Sequence, residues 1–344
     1  MVWRGFWLGL GAVLGRRAAP GRRVPQGRRA APGQSCALRR RDALGQSCAL
    51  GRRAAPGRSC ALRRRAALHP RAWRCAVPEG DTVWRAARGL HTALAGAELI
   101  RTDFRVPRFA TTDLSGRTVE GVVSRGKHLL IRVAPGPGES EGWSIHSHLK
   151  MEGLWHIYGR GERWRRPAFK ARVVLETAEK QAVGFELGIL RVFPRSGEEE
   201  AVGYLGPDLL GPDWDAAEAL RRLASVPERP VGLALLDQRN LAGIGNVYRC
   251  ELCFLVGVHP LTPVQDIPNL ERLVDLSKRL LEANKTRSRR ITTGLAGRDP
   301  LWVYNREKRG CLRCGTKVVH ELVGDTELEL RDLYYCPHCQ PPVG

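Results

Sequence analysis

The sequence has 344 residues, enough for two or three compact domains. Its formal net charge of +21 suggests a polyanionic partner, but the charge is unevenly placed. Residues 1–77 carry 18 arginines, no lysine and a single acid, Asp42, giving +17, whereas the remaining 267 hold 38 basic and 34 acidic side chains, giving +4. No apolar run reaches the roughly 18 residues a membrane-spanning helix needs, so a membrane partner is not expected.

In chain order, the first segment is a repeat. Residues 27–41 read GRRAAPGQSCALRRR and residues 51–65 read GRRAAPGRSCALRRR, with a further QSCAL at 46–50. Such units hold too little Val, Ile, Phe or Tyr to bury a core, so a disordered extension is expected over 1–77. A basic arm for nucleic acid and a translated stretch of GC-rich upstream DNA are the two alternatives, and the second is preferred. The early GFWLGLGAVLG is a poor signal-peptide match, because more arginine-rich repeat follows it without a convincing cleavage region.

From residue 76 the chain reads AVPEGDTVWRAA, which looks like the start of a protein. Val83, Ala87, Leu90 and Leu94 then fall at helical spacing, with Asp81 near the cap and Gly96 as a stop. Short β-branched, alternating runs follow: ELIRTDFRV, RTVEGVVSRGKHLLIRV, WSIHSHL, GLWHIYG, FKARVVLET and QAVGFEL. They predict a β-sandwich over about 98–195. SGEEE and GPDLLGPDW mark a boundary, after which WDAAEALRRLAS, PVGLALLDQ, NVYRCELCFLVG and NLERLVDLSKRLLEANK read as helices.

The C-terminal segment is bounded by Cys311-x-x-Cys314 and Cys336-x-x-Cys339, with KVVHELV, a Gly324-Asp325 turn and TELELRDLYY alternating between them as a hairpin. Two such knuckles can place four thiolates tetrahedrally around one structural Zn²⁺. A redox dithiol would instead call for one such pair beside a βαβ unit. His320 and His338 are possible ligands, but the cysteine set is complete without them. Cys250 and Cys253 share the same spacing inside an apolar helix, where two small core residues are the expectation. This cysteine usage suits a reducing compartment.

Two further signals are weak alone. LAGIGNVYR places Gly243 and Gly245 just before a helix, where backbone N–H groups and the Asn246 amide could receive a phosphate, although a glycine turn is more often punctuation. Lys127 lies in the strand-like SRGKHLL, either as a solvated charge or as a phosphate contact.

Together, PEGDT at 78, SRGKHLL at 124, GPDLL at 206, LLDQRNLAGIGNVYRCE at 235, VYNREKRGCLRCG at 303 and RDLYYCPHCQ at 331 make residues 78–340 resemble the formamidopyrimidine-DNA glycosylase and endonuclease VIII family. The resemblance implies an α+β multidomain fold: an N-terminal helix and β-sandwich over 78–197, a helix-two-turn-helix domain over 205–300, and a zinc-finger hairpin over 301–344. It also implies a bifunctional DNA glycosylase and abasic-site lyase, acting as a monomer on damaged DNA in the bacterial cytoplasm and associated with the nucleoid. Pro78 would be the nucleophile and Glu79 the proton shuttle. Lys127, Asn246 and Arg331 would grip phosphates around the extruded nucleotide, and Met151 would fill the gap it leaves, unless Met151 is an ordinary core residue.

A free N-terminal proline is a secondary amine able to attack the sugar C1′, release the base and leave an iminium that permits β,δ-elimination. An internal proline is a tertiary amide without that lone pair. Translation is therefore expected to begin at Val77, whose codons include the alternative start GTG, with the initiator residue trimmed before Pro78; proteolysis would reach the same end. The chain departs from the family in Thr82, which replaces a second glutamate, in ELGILRVFPR, which lacks the Arg-Arg-Phe-Gly pattern, and in the short interval from Thr292 to Trp302. These lean toward the endonuclease VIII branch and oxidised pyrimidines. Oxidised purines, a non-catalytic damaged-DNA binder with a blocked Pro78, and an RNA-associated zinc-ribbon protein are the alternatives.

Overall fold

A computed structural model describes residues 77–295 and 299–342, all within one compact unit. The expectations for the arginine-rich repeats, the early apolar run and the four cysteines of the first 76 residues lie outside the described residues.

Helix α1, Gly80–Leu94, buries Val83, Ala87, Leu90 and Leu94, the predicted stripe. Gly96, at φ 78°, turns the chain after it, a conformation that costs glycine little. The stripe packs into a core with Leu99, Leu129, Ile131, Ile145, Val173 and Leu175. The residues come from two four-stranded antiparallel sheets. One orders β1 (Arg101–Phe104), β6 (Ala171–Glu176), β7 (Lys180–Phe185) and β5 (Leu154–Gly159); the other orders β2 (Val119–Arg125), β3 (His128–Val133), β4 (Trp143–His148) and β8 (Ile189–Pro194).

Strand β8 was not among the expected strands. Its residues are half-buried or exposed with no clean alternation, and it ends in Pro194, as suits an edge strand paired on one side only. The SGEEE boundary is also more ordered than expected: Glu198–Val202 forms the helical turn α2, and the Glu198 carboxylate accepts from Arg132 Nη2 at 2.7 Å.

The second half is helical. Asp215 caps α3 (Ala216–Leu223) by accepting from Glu218 N at 3.0 Å, and Asn269 caps α6 (Leu270–Asn284) by accepting from Arg272 N at 2.7 Å. PVGLALLDQ yields only one turn, α4 (Val231–Ala234), whereas α5 (Asn246–Val256) runs as expected. Leu223, Leu235, Ile244, Leu252, Leu273 and Leu281 form their common core.

The hairpin pairs β9 (Val319–Val323) with β10 (Arg331–Tyr335). Regular alternation fails over Glu327–Glu329, which forms one 3₁₀ turn with Leu328 98% exposed. Phe254 and Cys250 of α5 pack against Val303, Val318, Leu333 and Cys336, so one face of that helix supports the hairpin.

Candidate active site

The site forms where the start of α1 meets the start of α5. Gly80 N donates to Gly243 O at 2.9 Å, and a Cβ on Gly80 would lie 2.9 Å from Gly243 Cα. A Cβ on Gly245 would lie 2.6 Å from Glu79 Cδ. The glycines of LAGIGN therefore let the two segments touch through their backbones.

This approach buries Glu79 completely. Its carboxylate accepts from Gly245 N at 2.9 Å, Val247 N at 2.7 Å and Tyr248 N at 3.3 Å, the free amides at the start of α5. Burial nevertheless dominates and raises the Glu79 pKa above the usual carboxylate range, with the Asp81 charge adding to it and Arg290 and Lys127 opposing. A carboxyl shifted in this direction holds its proton more readily than an exposed one, as a group that gives up and takes back a proton requires.

Pro78, next to Glu79, lines a cavity of about 400 Å³. Leu90, Leu149, Trp155 and Ile157 supply apolar wall, and Thr82, Arg85 and Glu152 supply polar groups. Met151 stands on the cavity rim, 53% exposed, so the structure does not place it in the core. A large apolar side chain exposed beside a cavity is suited to contacting something brought there.

Lys127 occupies the turn between β2 and β3, where its Nζ donates to Ile244 O at 2.9 Å. Burial pulls its pKa down to about 8; the Glu79 charge opposes the change, and Arg331 and Lys150 add to it. Asn246 opens α5, with Nδ2 donating to Asp332 O at 2.6 Å, and Arg331 begins the exposed end of β10. The β2–β3 turn thus meets the segment leading into α5 through Lys127, and the hairpin meets the first residue of α5 through Asp332.

Several participants were not anticipated. Arg290 is buried and clamps Asp81, with Nε to Oδ2 at 2.9 Å and Nη2 to Oδ1 at 2.5 Å. Its Nη1 lies 3.8 Å from Glu79 Oε1, and its guanidinium stacks 4.7 Å above the Tyr248 ring. Tyr248 OH also donates to Asp81 Oδ2 at 3.0 Å. Burial raises the Asp81 pKa, but the charge and hydrogen bonds of Arg290, with Tyr248 and Thr82 N, outweigh it and hold the group below its ordinary value. Burial likewise opposes the Arg290 charge, and Glu79 and Asp81 more than offset it. Asp208, also missed, accepts from Gly126 N at 2.8 Å and so anchors the turn that carries Lys127.

In the hairpin, the sulfurs of Cys311, Cys314, Cys336 and Cys339 all lie within 4.8 Å of one another and could hold a metal ion. Cys311 and Cys339 sulfurs are 4.0 Å apart, and those of Cys314 and Cys336 3.5 Å. His320 lies outside this cluster and meets Asp332 Oδ1 at 2.8 Å through Nε2. Cys250 and Cys253 are fully buried, and burial pushes their thiols up to about 11 and about 12, as expected for inert core residues.

Comparison with known proteins agrees with this architecture. The N-terminal domain of formamidopyrimidine-DNA glycosylase matches residues 77–186, and its H2TH domain matches residues 205–289. A probable endonuclease 8 2 of Streptomyces coelicolor is 56% identical over 267 residues, 77% of this chain and 94% of that protein. The chain belongs to this family. A DNA-(apurinic or apyrimidinic site) lyase of Mycolicibacterium smegmatis is 48% identical, covering 77% of this chain and 99% of its own length. Lactococcus lactis formamidopyrimidine-DNA glycosylase, solved noncovalently bound to DNA containing an abasic site, shares the family fold at a TM-score of 0.62 and 22% identity, over 77% of this chain and all of its own.

Proposed function

We propose that this chain is a bifunctional DNA glycosylase and abasic-site lyase of base excision repair, with oxidised pyrimidines as its favoured lesions. The observation that carries the proposal is the adjacency of Pro78, on the wall of an apolar cavity, to Glu79, a buried carboxyl of raised pKa held by the amides of α5. The imino nitrogen of Pro78 attacks C1′ while the bond from C1′ to the base breaks, its electron pair leaving with the base. Glu79 moves the proton that the departing base or sugar oxygen needs. The C1′–O4′ bond then opens, its electron pair going to O4′, which takes a proton from Glu79, and the nitrogen lone pair forms the iminium; that iminium acidifies the C2′ hydrogen, so the 3′ phosphate leaves by β-elimination and the 5′ phosphate by δ-elimination.

This chemistry requires a free imino nitrogen, and the Val77–Pro78 peptide removes it. Initiation at Val77 followed by trimming, or cleavage before Pro78, supplies the amine. In support, the family match begins at residue 77, and two of the relatives above are covered to 94% and 99% of their length by 77% of this chain. The cores of the sandwich, the helical part and the hairpin draw on no residue before Val83, so a chain beginning at Pro78 keeps them all.

Lys127, Asn246 and Arg331 are assigned to the phosphates flanking an extruded nucleotide, since flipping exposes C1′. Met151 is assigned to the gap left in the stack. The parts 78–197, 205–300 and 301–344 serve as catalytic sandwich, helical DNA clamp and hairpin. Zn²⁺ fits the four cysteines: sulfurs about 2.3 Å from a tetrahedral ion lie about 3.8 Å apart, between the two separations found. When bound, the ion fixes the hairpin; the chain's own residues carry the chemistry. We place the protein as a monomer in the bacterial cytoplasm, at the nucleoid.

The test is borohydride trapping on duplexes carrying an abasic site, a ring-saturated pyrimidine or 8-oxoguanine. Protein beginning at Pro78 should be captured covalently by the first two. Protein that binds these duplexes without capture would be the non-catalytic binder, and capture confined to 8-oxoguanine would overturn the pyrimidine preference.

A further inference from the structure

In the cluster behind Pro78, Lys127 acts on Glu79, and Arg290 is paired with both buried carboxyls, Glu79 and Asp81. Arg290 Nη2 lies 3.5 Å from the carbonyl oxygen of Val77, which belongs to the same amide as the Pro78 nitrogen. The guanidinium is therefore a near neighbour of the atom that becomes the nucleophile. It cannot turn away easily, being clamped to Asp81 through two nitrogens and stacked on Tyr248.

A secondary amine is protonated at neutral pH unless its surroundings oppose the charge, and only the unprotonated form attacks carbon. The charged and titratable groups around Pro78 are Arg85 and Glu152, which line the same cavity, the neighbouring Glu79 and Asp81 of the α1 start, Lys127 and Arg290, whose charges act on Glu79, and Tyr248, which bonds Asp81. Without Arg290, the buried Asp81 carboxylate would lose its paired cation and Glu79 the nearer of two, and a protonated proline would be the obvious cation to replace it. With Arg290 in place, that role is filled.

We infer that Arg290 is a positioning residue that, paired with Asp81 beside the Val77–Pro78 junction, keeps the proline nitrogen of the mature enzyme unprotonated at neutral pH. This rests on Pro78 acting as a free amine, as proposed above. It accounts for why a carboxylate, Asp81, stands where it contributes no proton: it fixes the guanidinium.

The experiment is the pH profile of single-turnover borohydride trapping on abasic DNA, using protein that begins at Pro78. Arg290→Met should move the alkaline-activating midpoint upward by about one pH unit or more while recovering rate at high pH. Arg290→Lys should move it less. Because Arg290→Met strands two carboxylates and could unfold the site, the Asp81→Leu/Arg290→Met double variant removes cation and anion together and should return the midpoint most of the way to the parent value. A lower rate with an unchanged midpoint in Arg290→Met, or no return in the double variant, would overturn the inference. Absence of trapping by the parent protein at every pH would instead defeat the proposed function itself.

Discussion

Helix α5 serves two regions that are held together by opposite means. At its N-terminus, backbone amides and Arg290 hold the Glu79 and Asp81 carboxylates, so the pocket is assembled from charge and hydrogen bonds supplied wholly by the chain. Along its flank, Cys250 and Phe254 meet a hairpin of two five-residue strands whose far side is exposed. So small a unit buries too little apolar surface to stand alone, and its four clustered sulfurs could hold a metal crosslink. The pocket should tolerate metal loss that the hairpin cannot, and each region can be broken separately.

The largest effect should come from the pocket. Glu79→Gln keeps the shape but cannot exchange a proton in the same way, and base excision should fall by about 10²- to 10⁴-fold in single-turnover assays. An equal loss of DNA affinity would mean that Glu79 is mainly structural. Next, Cys311→Ser, or chelation of the metal, should loosen the hairpin and detach Arg331 and the Asp332 carbonyl that holds Asn246. Duplex affinity should fall about tenfold or more, as expected for losing charged phosphate contacts, while hydrogen exchange of the α5 amides at Val247 and Tyr248 stays slow. Rapid exchange there would join the two regions into one.

A smaller effect concerns Lys127. Burial holds its pKa at about 8 in the free protein, and bound phosphate, which favours the charged amine, raises it again. Below about 8 the amine is charged both free and bound, and affinity is flat; as pH rises from there toward the bound value, affinity declines by a few-fold. Lys127→Arg should abolish this decline in fluorescence-anisotropy titrations. The smallest effect should come from Cys250→Ala, which removes a buried sulfur and should lower stability by about 1 kcal/mol without changing metal content. Loss of metal in that variant would overturn the division between the two kinds of cysteine pair.

That division shows how far the sequence could be read. Cys250-x-x-Cys253 and Cys311-x-x-Cys314 have one spacing, and only their settings, an apolar helix and the edge of a hairpin, separate them. The settings were legible from periodicity, as were α1, the first seven strands, α5 and α6. Strand β8 was missed because an edge strand has no strict two-residue period, and the hairpin tip because Glu327 to Glu329 alternates in sequence without pairing. Pro78, Glu79 and Lys127 sit in motifs. Arg290 sits in RSRRITTG, where one arginine among several gives no local sign that it will be buried against Asp81, 209 residues away in sequence.

The most direct test of the account is the identity of the residue that bonds to DNA. Protein recovered from its native host, trapped by borohydride on an abasic duplex, digested and sequenced by mass spectrometry, should carry the sugar remnant on the nitrogen of an N-terminal Pro78. An adduct on Lys127 or another amine, or an adduct in protein whose Val77–Pro78 peptide remains intact, would contradict it.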